Sequence, residues 1–290
     1  MRRHFFYTIS AFLLILYTIP LRANDVPSKE RFLLFYSPYF LELLQIAYGS
    51  TGMISQGGIE SVDKMFSGID LEGKSILDIG SGLGRVDLYL ATKNIVQILG
   101  VDLAPYMVSQ ASALLAKEQH TLKGSVSFSV LQNSTNLKEF ADNSFDIVFS
   151  KEVFYHIPLE GKQEYLQEIY RVLKPGGKVV IADWGQKART PVIVRAIRTE
   201  GSCFLITPSE FLALFAVANL QHTHFQDVSK DHENYTRCDL ERIQQAQNLL
   251  QSALDPLAYD HALISFNLWL EALRSGDLIA GIFVGEKPFP

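Results

Sequence analysis

Asp78-Ile79-Gly80-Ser81-Gly82-Leu83-Gly84 closes the apolar run that begins at Ser75, and the stretch Val86 to Thr92 behind it has the composition of a helix. A short apolar run, a cluster of glycines and a helical segment describe a buried strand turning sharply into a helix. Glycines at such a turn tolerate φ > 0 and let a ligand approach the main chain. Asp102 stands 18 residues beyond Gly84, at the end of a second apolar run, Ile95 to Val101. A carboxylate there can accept both hydroxyls of a ribose. Glycine turn and acid together read as a site for an adenosine-bearing ligand, whereas the glycines alone would also serve a plain tight turn.

The same rhythm continues on both sides. Tyr106 to Glu118 reads as an amphipathic helix, Val126 to Leu131 as a third strand and Phe145 to Ser150 as a fourth. Gln163 to Leu173 is helical and Lys178 to Ala182 a fifth strand. Strands alternating with helices of this length predict a parallel, doubly wound α/β sheet whose ligands bind at the carboxyl ends of the strands. Past Trp184 the rhythm breaks. Ser209 to Ala218 reads as a helix, His222 to Val228 as a strand, Leu240 to Leu254 and Ala262 to Leu273 as helices, and Asp277 to Gly285 as a last strand. Upstream, Ser37-Pro38 starts a helix that Gly49 ends, the glycine-rich loop 50–58 follows, and Ile59 to Phe66 is a further short helix.

The ligand chemistry follows from the departures from the dinucleotide pattern GxGxxG. Arg85 stands where the last glycine would be, and the third glycine comes one residue early, at 84. Asp78 puts a second carboxylate at the mouth, which repels a pyrophosphate and attracts a cationic amino-acid tail. That contrast favours S-adenosylmethionine over a nicotinamide dinucleotide, leaving a nucleotide-linked oxidoreductase as the disfavoured rival.

Composition excludes several classes. The chain has 290 residues, of which 48% are hydrophobic and 20% charged, with a formal net charge of −5. It is neither disordered nor fibrous, and it lacks the basic face a nucleic-acid binder needs. Cys203 and Cys238 form no CxxC pair, and pairing between them has no support from spacing alone. His222, His224 and His232 lack the further ligands of a metal set, so no metal site is expected. No GxSxG nucleophile elbow is present. Residues 1–23 carry Arg2 and Arg3, the apolar run Phe5 to Ile19, Pro20 and then Ala23, which is the layout of a secretory signal peptide. Cleavage predicts an exported chain starting near Asn24, periplasmic or secreted. An uncleaved segment would instead anchor the protein to a membrane, the only membrane contact expected.

DIGSGLG at 78–84, the strand end at Asp102 and Arg171-Val172-Leu173-Lys174-Pro175-Gly176-Gly177 resemble class I S-adenosylmethionine-dependent methyltransferases, over about residues 48–185. The resemblance implies a Rossmann-like, mostly parallel seven-stranded sheet with an N-terminal helical cover (24–70), a cofactor-binding core (71–187) and C-terminal substrate-side elements (188–290) with a helical insertion before the last strand. It implies that Asp78, Gly80 and Gly82 hold the methionine end of the cofactor, that Asp102 holds the ribose and that Leu103 packs on the adenine. Asn133-Ser134 stands where the family has an acid for the adenine amino group, and Asn133 can still accept through its amide oxygen.

Tyr48 to Gly58 and Ser150 to Ile157 resemble, more closely, the cofactor-closing loop and the active-site segment of the phosphoethanolamine and sterol methyltransferases. That likeness adds Ser55 to the cofactor contacts. It makes His156 the candidate general base, paired with Tyr36 or else Tyr39. An imidazole titrates near neutrality and suits that task, though a histidine here would equally cap a turn. The sequence departs from the phosphoethanolamine branch where its phosphate donors would fall, with Trp184, Gly201 and Cys203 in their place and Arg195 and Arg198 out of register. Phe154, Tyr155 and Trp184 would suit an amine or a flat apolar acceptor. The expected activity is methyl transfer to a small molecule, an amine, a phosphobase-like compound, a phenol or a sterol. The alternative is an exported, non-catalytic protein that binds an adenosyl ligand.

Overall fold

The computed structural model describes residues 38–49, 52–94, 96–133, 135–187, 194, 203–253 and 256–290. At its centre lies β1 (Ser75–Ile79), buried throughout after Ser75. β2 (Gln97–Asp102) and β3 (Ser125–Val130) extend the sheet in parallel on one side of it. β4 (Phe145–Lys151) and β5 (Leu173–Gln186) extend it in parallel on the other. With β6 (Gln221–Asp227) and β7 (Leu278–Glu286) the sheet has seven strands in the order β3-β2-β1-β4-β5-β7-β6. Only β7 runs against its neighbours. The expected mostly parallel, doubly wound sheet is therefore present. Its strand order reverses between β1 and β4, which opens a crevice at their carboxyl ends.

Side-chain alternation on the strands feeds two cores, one on each face. Ile76, Ile98, Ile147, Phe149, Val180 and Ile282 belong to one. Leu77, Val101, Val148, Ile181 and Phe283 belong to the other. The helices that cover these faces are α2 (Gly58–Met65), α3 (Arg85–Lys93), α4 (Pro105–Glu118), α5 (Leu159–Val172) and α6 (Pro208–Val217). α6 starts at Pro208 behind a capping box, Thr207 accepting from the Glu210 N–H while the Glu210 side chain accepts from the Thr207 N–H. The Lys174–Gly177 stretch is an irregular start to β5, where the register jumps and Gly176 takes φ 75°.

α1 (Pro38–Ala47) and the insertion helices α7 (Ser229–Gln245), α8 (Gln247–Ala253) and α9 (Pro256–Ser275) pack together through Leu43, Ala47, Ile243, Leu250, Tyr259 and Ala262. The N-terminal cover and the insertion thus form one helical roof. α7 begins eleven residues before the expected Leu240. Its buried face is His232, Thr236, Asp239, Leu240 and Ile243, so its first half buries polar groups that hydrophobic periodicity does not register. Among the described residues no helix is long and apolar enough to cross a membrane. The expected signal segment lies outside the described residues.

Candidate active site

A cleft opens at the carboxyl ends of β1, β2, β4 and β5 and is roofed by the 52–56 loop, α1 and α9. Its floor at one end is the glycine turn. Gly80 takes φ 85°, and a Cβ there would lie 2.4 Å from Val153 Cγ2. At Gly82 the backbone has φ 53°, and a Cβ would lie 2.9 Å from Ile54 Cδ1. Both positions therefore require glycine, for backbone conformation and for space. Asp102, last in β2, accepts from the Gly82 N–H at 3.0 Å through Oδ2 and from the Ala104 N–H at 2.9 Å through Oδ1. Burial raises its pKa, opposed by those two donors. The bonds lock the carboxylate to the glycine turn and aim it into the cleft, and Leu103 lines the wall beside it.

Asp78 also lines the cleft and is only 3% exposed. Behind it stands Asp87, in the first turn of α3, fully buried and with the Asp78 carboxyl as its side-chain partner. Burial pushes the Asp78 pKa well up, and the neighbouring Asp87 and Asp102 carboxyls push it further. Asp87 is pushed up to about 7 by burial, with Asp78 as its side-chain partner. Two buried carboxyl groups side by side cannot both ionise, so the pair holds a proton.

Beyond the glycine turn the cleft is walled by the end of β4. Lys151 Nζ donates to the Gln56 carbonyl at 2.8 Å and to Glu152 Oε1 at 3.2 Å, and the Gln56 N–H donates to the same oxygen at 3.0 Å. Glu152 is held at φ 57°, a left-handed backbone for a side-chain-bearing residue. The Gln56 amide reaches across to α7, donating to Thr236 at 3.1 Å and Asp239 at 2.9 Å, while His232 Nδ1 lies 3.1 Å from its oxygen. Burial, with Lys151 and Lys64 adding to it, pushes His232 down to about 3, so the ring stays neutral and donates. Asp239 is pushed up to about 8 by burial against the opposing pull of Arg242. One glutamine thus ties the cofactor-side loop, the end of β4 and the roof helix α7 together.

The 3₁₀ turn Phe154–His156 completes that wall. Tyr155 and His156 line the cleft with ring centroids 3.8 Å apart. Trp269 of α9 packs edge-on against Trp184, with centroids 4.6 Å apart, and meets Tyr155 at 6.4 Å. Tyr48, Phe149, Phe266 and Cys203 add to this aromatic end.

The structure brings together Ser55, Asp78, Gly80, Gly82, Asp102, Leu103 and His156 around this cleft. It does not bring Asn133 there. Asn133 is exposed, and its Oδ1 accepts from the Thr135 N–H at 2.9 Å, a local turn bond that leaves the residue outside the cleft lining. Ser134, Tyr36, Arg195 and Arg198 lie outside the described residues. Tyr39 is placed in α1 by its backbone alone. Of the three aromatic candidates, Tyr155 and Trp184 line the cleft. Phe154 points away into the core, against Phe211 at 4.4 Å and Tyr165 at 5.6 Å. Cys203 and Cys238 are not joined by a disulfide. Sequence reasoning missed Gln56, Asp87, Lys151, Glu152 and Trp269. The first four are polar groups whose partners are remote in sequence or drawn from another element, and Trp269 sits in a helix that read as ordinary packing.

A family model described as a methyltransferase domain matches residues 77–181. Phosphoethanolamine N-methyltransferase 3 of Arabidopsis thaliana is 36% identical over 141 residues, covering 48% of this chain and 27% of that protein. The phosphoethanolamine N-methyltransferase of Plasmodium falciparum is 29% identical over 203 residues, 69% of this chain and 72% of that one. The chain spans less than half the length of the plant relatives it matches. Among solved structures, Haemonchus contortus phosphoethanolamine N-methyltransferase 2, in complex with phosphomonomethylethanolamine and S-adenosylhomocysteine, superposes with a TM-score of 0.78 at 24% identity, covering 88% of this chain and 58% of that one. In sequence and fold the chain resembles class I S-adenosylmethionine-dependent methyltransferases of the phosphoethanolamine group.

Proposed function

We propose that this chain, with its methyltransferase domain over residues 77–181, transfers a methyl group from S-adenosylmethionine to a small-molecule acceptor. The observation that carries the reading is the pairing of Asp102, locked onto the glycine turn by Gly82 and Ala104, with Asp78 at the other end of that turn. These residues fit the cofactor: a cradle that a Cβ would fill at Gly80 and Gly82, a carboxylate aimed at a ribose diol, and an acidic group for a cationic amino-acid end. Leu103 offers an apolar face to the adenine, and no residue is assigned to the adenine amino group. When bound, the cofactor supplies an electrophilic methyl group on a sulfonium.

The chain's own residues do the rest. Asp78 and Asp102 orient the donor, and the 52–56 loop with the α9 aromatics excludes water and holds the acceptor in line. His156 takes the proton from an acceptor that must lose one. The aromatic end of the cleft, with the Glu152 carboxylate at its edge, favours an amine, whose positive product is stabilised by ring faces.

Calorimetry with S-adenosylmethionine and S-adenosylhomocysteine on the wild type and on Asp102→Ala tests the assignment. Losing the charge-assisted ribose bonds is expected to cost ~1.5–3 kcal/mol of affinity. Unchanged affinity in the variant refutes the cofactor site. S-adenosylhomocysteine release against amines, phosphobases, phenols and sterols then identifies the acceptor class, and binding without release against any of them would favour a non-catalytic adenosyl-binding protein.

A further inference from the structure

Four of the five residues from Glu152 to His156 line the cleft: Glu152, Val153, Tyr155 and His156. The fifth, Phe154, is 1% exposed and points the other way, into the core. This short stretch therefore carries most of one wall of the acceptor end. Its ends are tied by the Glu152 N–H to the Ala182 carbonyl at 2.8 Å and by the His156 N–H to the Val153 carbonyl at 3.0 Å, and the three N–H groups between them converge on one carboxylate. Asp183, near the end of β5 and 4% exposed, accepts four backbone N–H groups. Oδ2 takes Val153 at 2.9 Å and Phe154 at 2.7 Å, and Oδ1 takes Tyr155 at 3.2 Å and Trp184 at 2.7 Å. From the opposite side Lys162 of α5, 1% exposed, donates Nζ to the Phe154 carbonyl and sits 4.0 Å from the Phe154 ring centroid. The Tyr155 carbonyl is taken by the Phe204 N–H at 2.7 Å.

Resting on the functional reading above, we infer that Asp183 and Lys162 are positioning residues of the acceptor site, which fix the directions in which Tyr155 and His156 enter the cleft by gripping the turn between them from its N–H and C=O sides.

A buried carboxylate and a buried ammonium each pay heavily in lost hydration, and an apolar pair of the same volume packs a core at least as stably. Burial pushes Asp183 up and Lys162 down, each to about 7, while the charge of each favours the ionised form of the other. What the charged pair supplies and an apolar pair does not is direction. Three consecutive N–H groups converge on one anion only when the intervening backbone follows one path. That path begins with Glu152 at φ 57°, a conformation that persists where the surroundings over-determine it. With Phe154 plugged into the core between Phe211 and Tyr165, the stretch is anchored from behind, and its cleft-facing side chains have little freedom to swing.

The test uses the full chain with Asp183→Asn and Lys162→Met, singly and together. Calorimetry reads S-adenosylhomocysteine affinity, and turnover is read as S-adenosylhomocysteine release on the acceptor that the wild type uses fastest, well below each variant's Tm. Affinity should stay within about twofold in Lys162→Met, since Lys162 grips only the Phe154 carbonyl, and should fall far less than the turnover number in Asp183→Asn, since the Asp183 partner Val153 lies against Gly80. The turnover number should fall about 10- to 100-fold while the KM for S-adenosylmethionine changes no more than that affinity, because a wall displaced by a fraction of an ångström misaligns acceptor and base. The double variant should be no more than about threefold slower than the worse single variant, since both act through one turn. If Asp183→Asn does not fold, Lys162→Met alone carries the comparison. Turnover within twofold of wild type in folded variants overturns the inference. So does loss of S-adenosylhomocysteine binding in step with activity, or unfolding of both variants, which would make the pair part of the general framework. A wild type that binds no S-adenosylhomocysteine overturns the functional reading and this inference together; a wild type that binds it, with variants that lose no turnover, overturns this inference alone.

Discussion

Replacing Asp87 with asparagine should stabilise this protein, and increasingly so as the pH rises. Asp87 is fully buried in the first turn of α3, and its side-chain partner is another buried carboxyl, Asp78. Its pKa rises from 3.8 to about 7 on folding, chiefly through burial. Between those values the group is protonated in the folded protein and ionised in the unfolded chain. Unfolding then releases a proton, so stability falls as the pH climbs through that window and levels off above about 7. The gap between the two pKa values corresponds to a penalty of about 4 kcal/mol at pH 8, about 2 kcal/mol at pH 5 and nearly nothing at pH 3.5. An asparagine in its place would be neutral at every pH and would turn an N–H toward Asp78, so the variant escapes the penalty. Removing one acid also relieves the like-charge repulsion on Asp78. Urea unfolding at pH 5, 6.5 and 8 reads the difference directly. The variant should gain up to about 4 kcal/mol at pH 8, which is ~8–16 °C in Tm for a domain of this size. Its advantage should shrink steadily towards pH 5. Equal stability at all three pH values, or a variant that is less stable at pH 8, would refute the account of the pair as a buried, proton-sharing site.

Gln56→Ala removes the side-chain bonds to three buried partners on α7 and leaves Thr236 and Asp239 short of a donor, so it should cost ~2–4 kcal/mol in urea unfolding. It should also raise the KM for S-adenosylmethionine, because the loop that lines the cleft loses its tie to the roof; an unchanged KM would separate the tie from cofactor binding. His156→Ala should lower turnover by roughly two to four orders of magnitude on an acceptor that must lose a proton, with S-adenosylhomocysteine affinity intact in calorimetry. Full activity of that variant would mean that alignment of donor and acceptor suffices for the reaction.

Local pattern alone reached the parallel core of the sheet and, of the candidate site, the glycine turn and Asp102. β1, β2 and β4 are apolar runs with their own boundaries, and the glycine turn and Asp102 sit at strand ends where only a ligand or a tight turn explains them. These features depend on neighbours within a few residues, so a linear reading reaches them. Asn133 lies beyond that reach: only its likeness to the family's position after β3 suggested the adenine, and its amide oxygen accepts from the N–H two residues on, in the turn. The tertiary structure decided everything that rests on buried polar pairing. Ser229 to Asp239 reads as a solvated stretch until Gln56 is brought onto it from 176 to 183 residues away. Asp183 looks like any strand-end acid until the backbone at 153–155 turns toward it, 28 to 30 residues earlier in the chain. Asp87 looks like a favourable acid in the first turn of a helix until the sheet places Asp78 against it. Hydrophobic burial leaves a periodic trace in the sequence because apolar side chains all seek the same interior. A buried polar group leaves none, because its stability comes from one particular partner and only the folded chain supplies it.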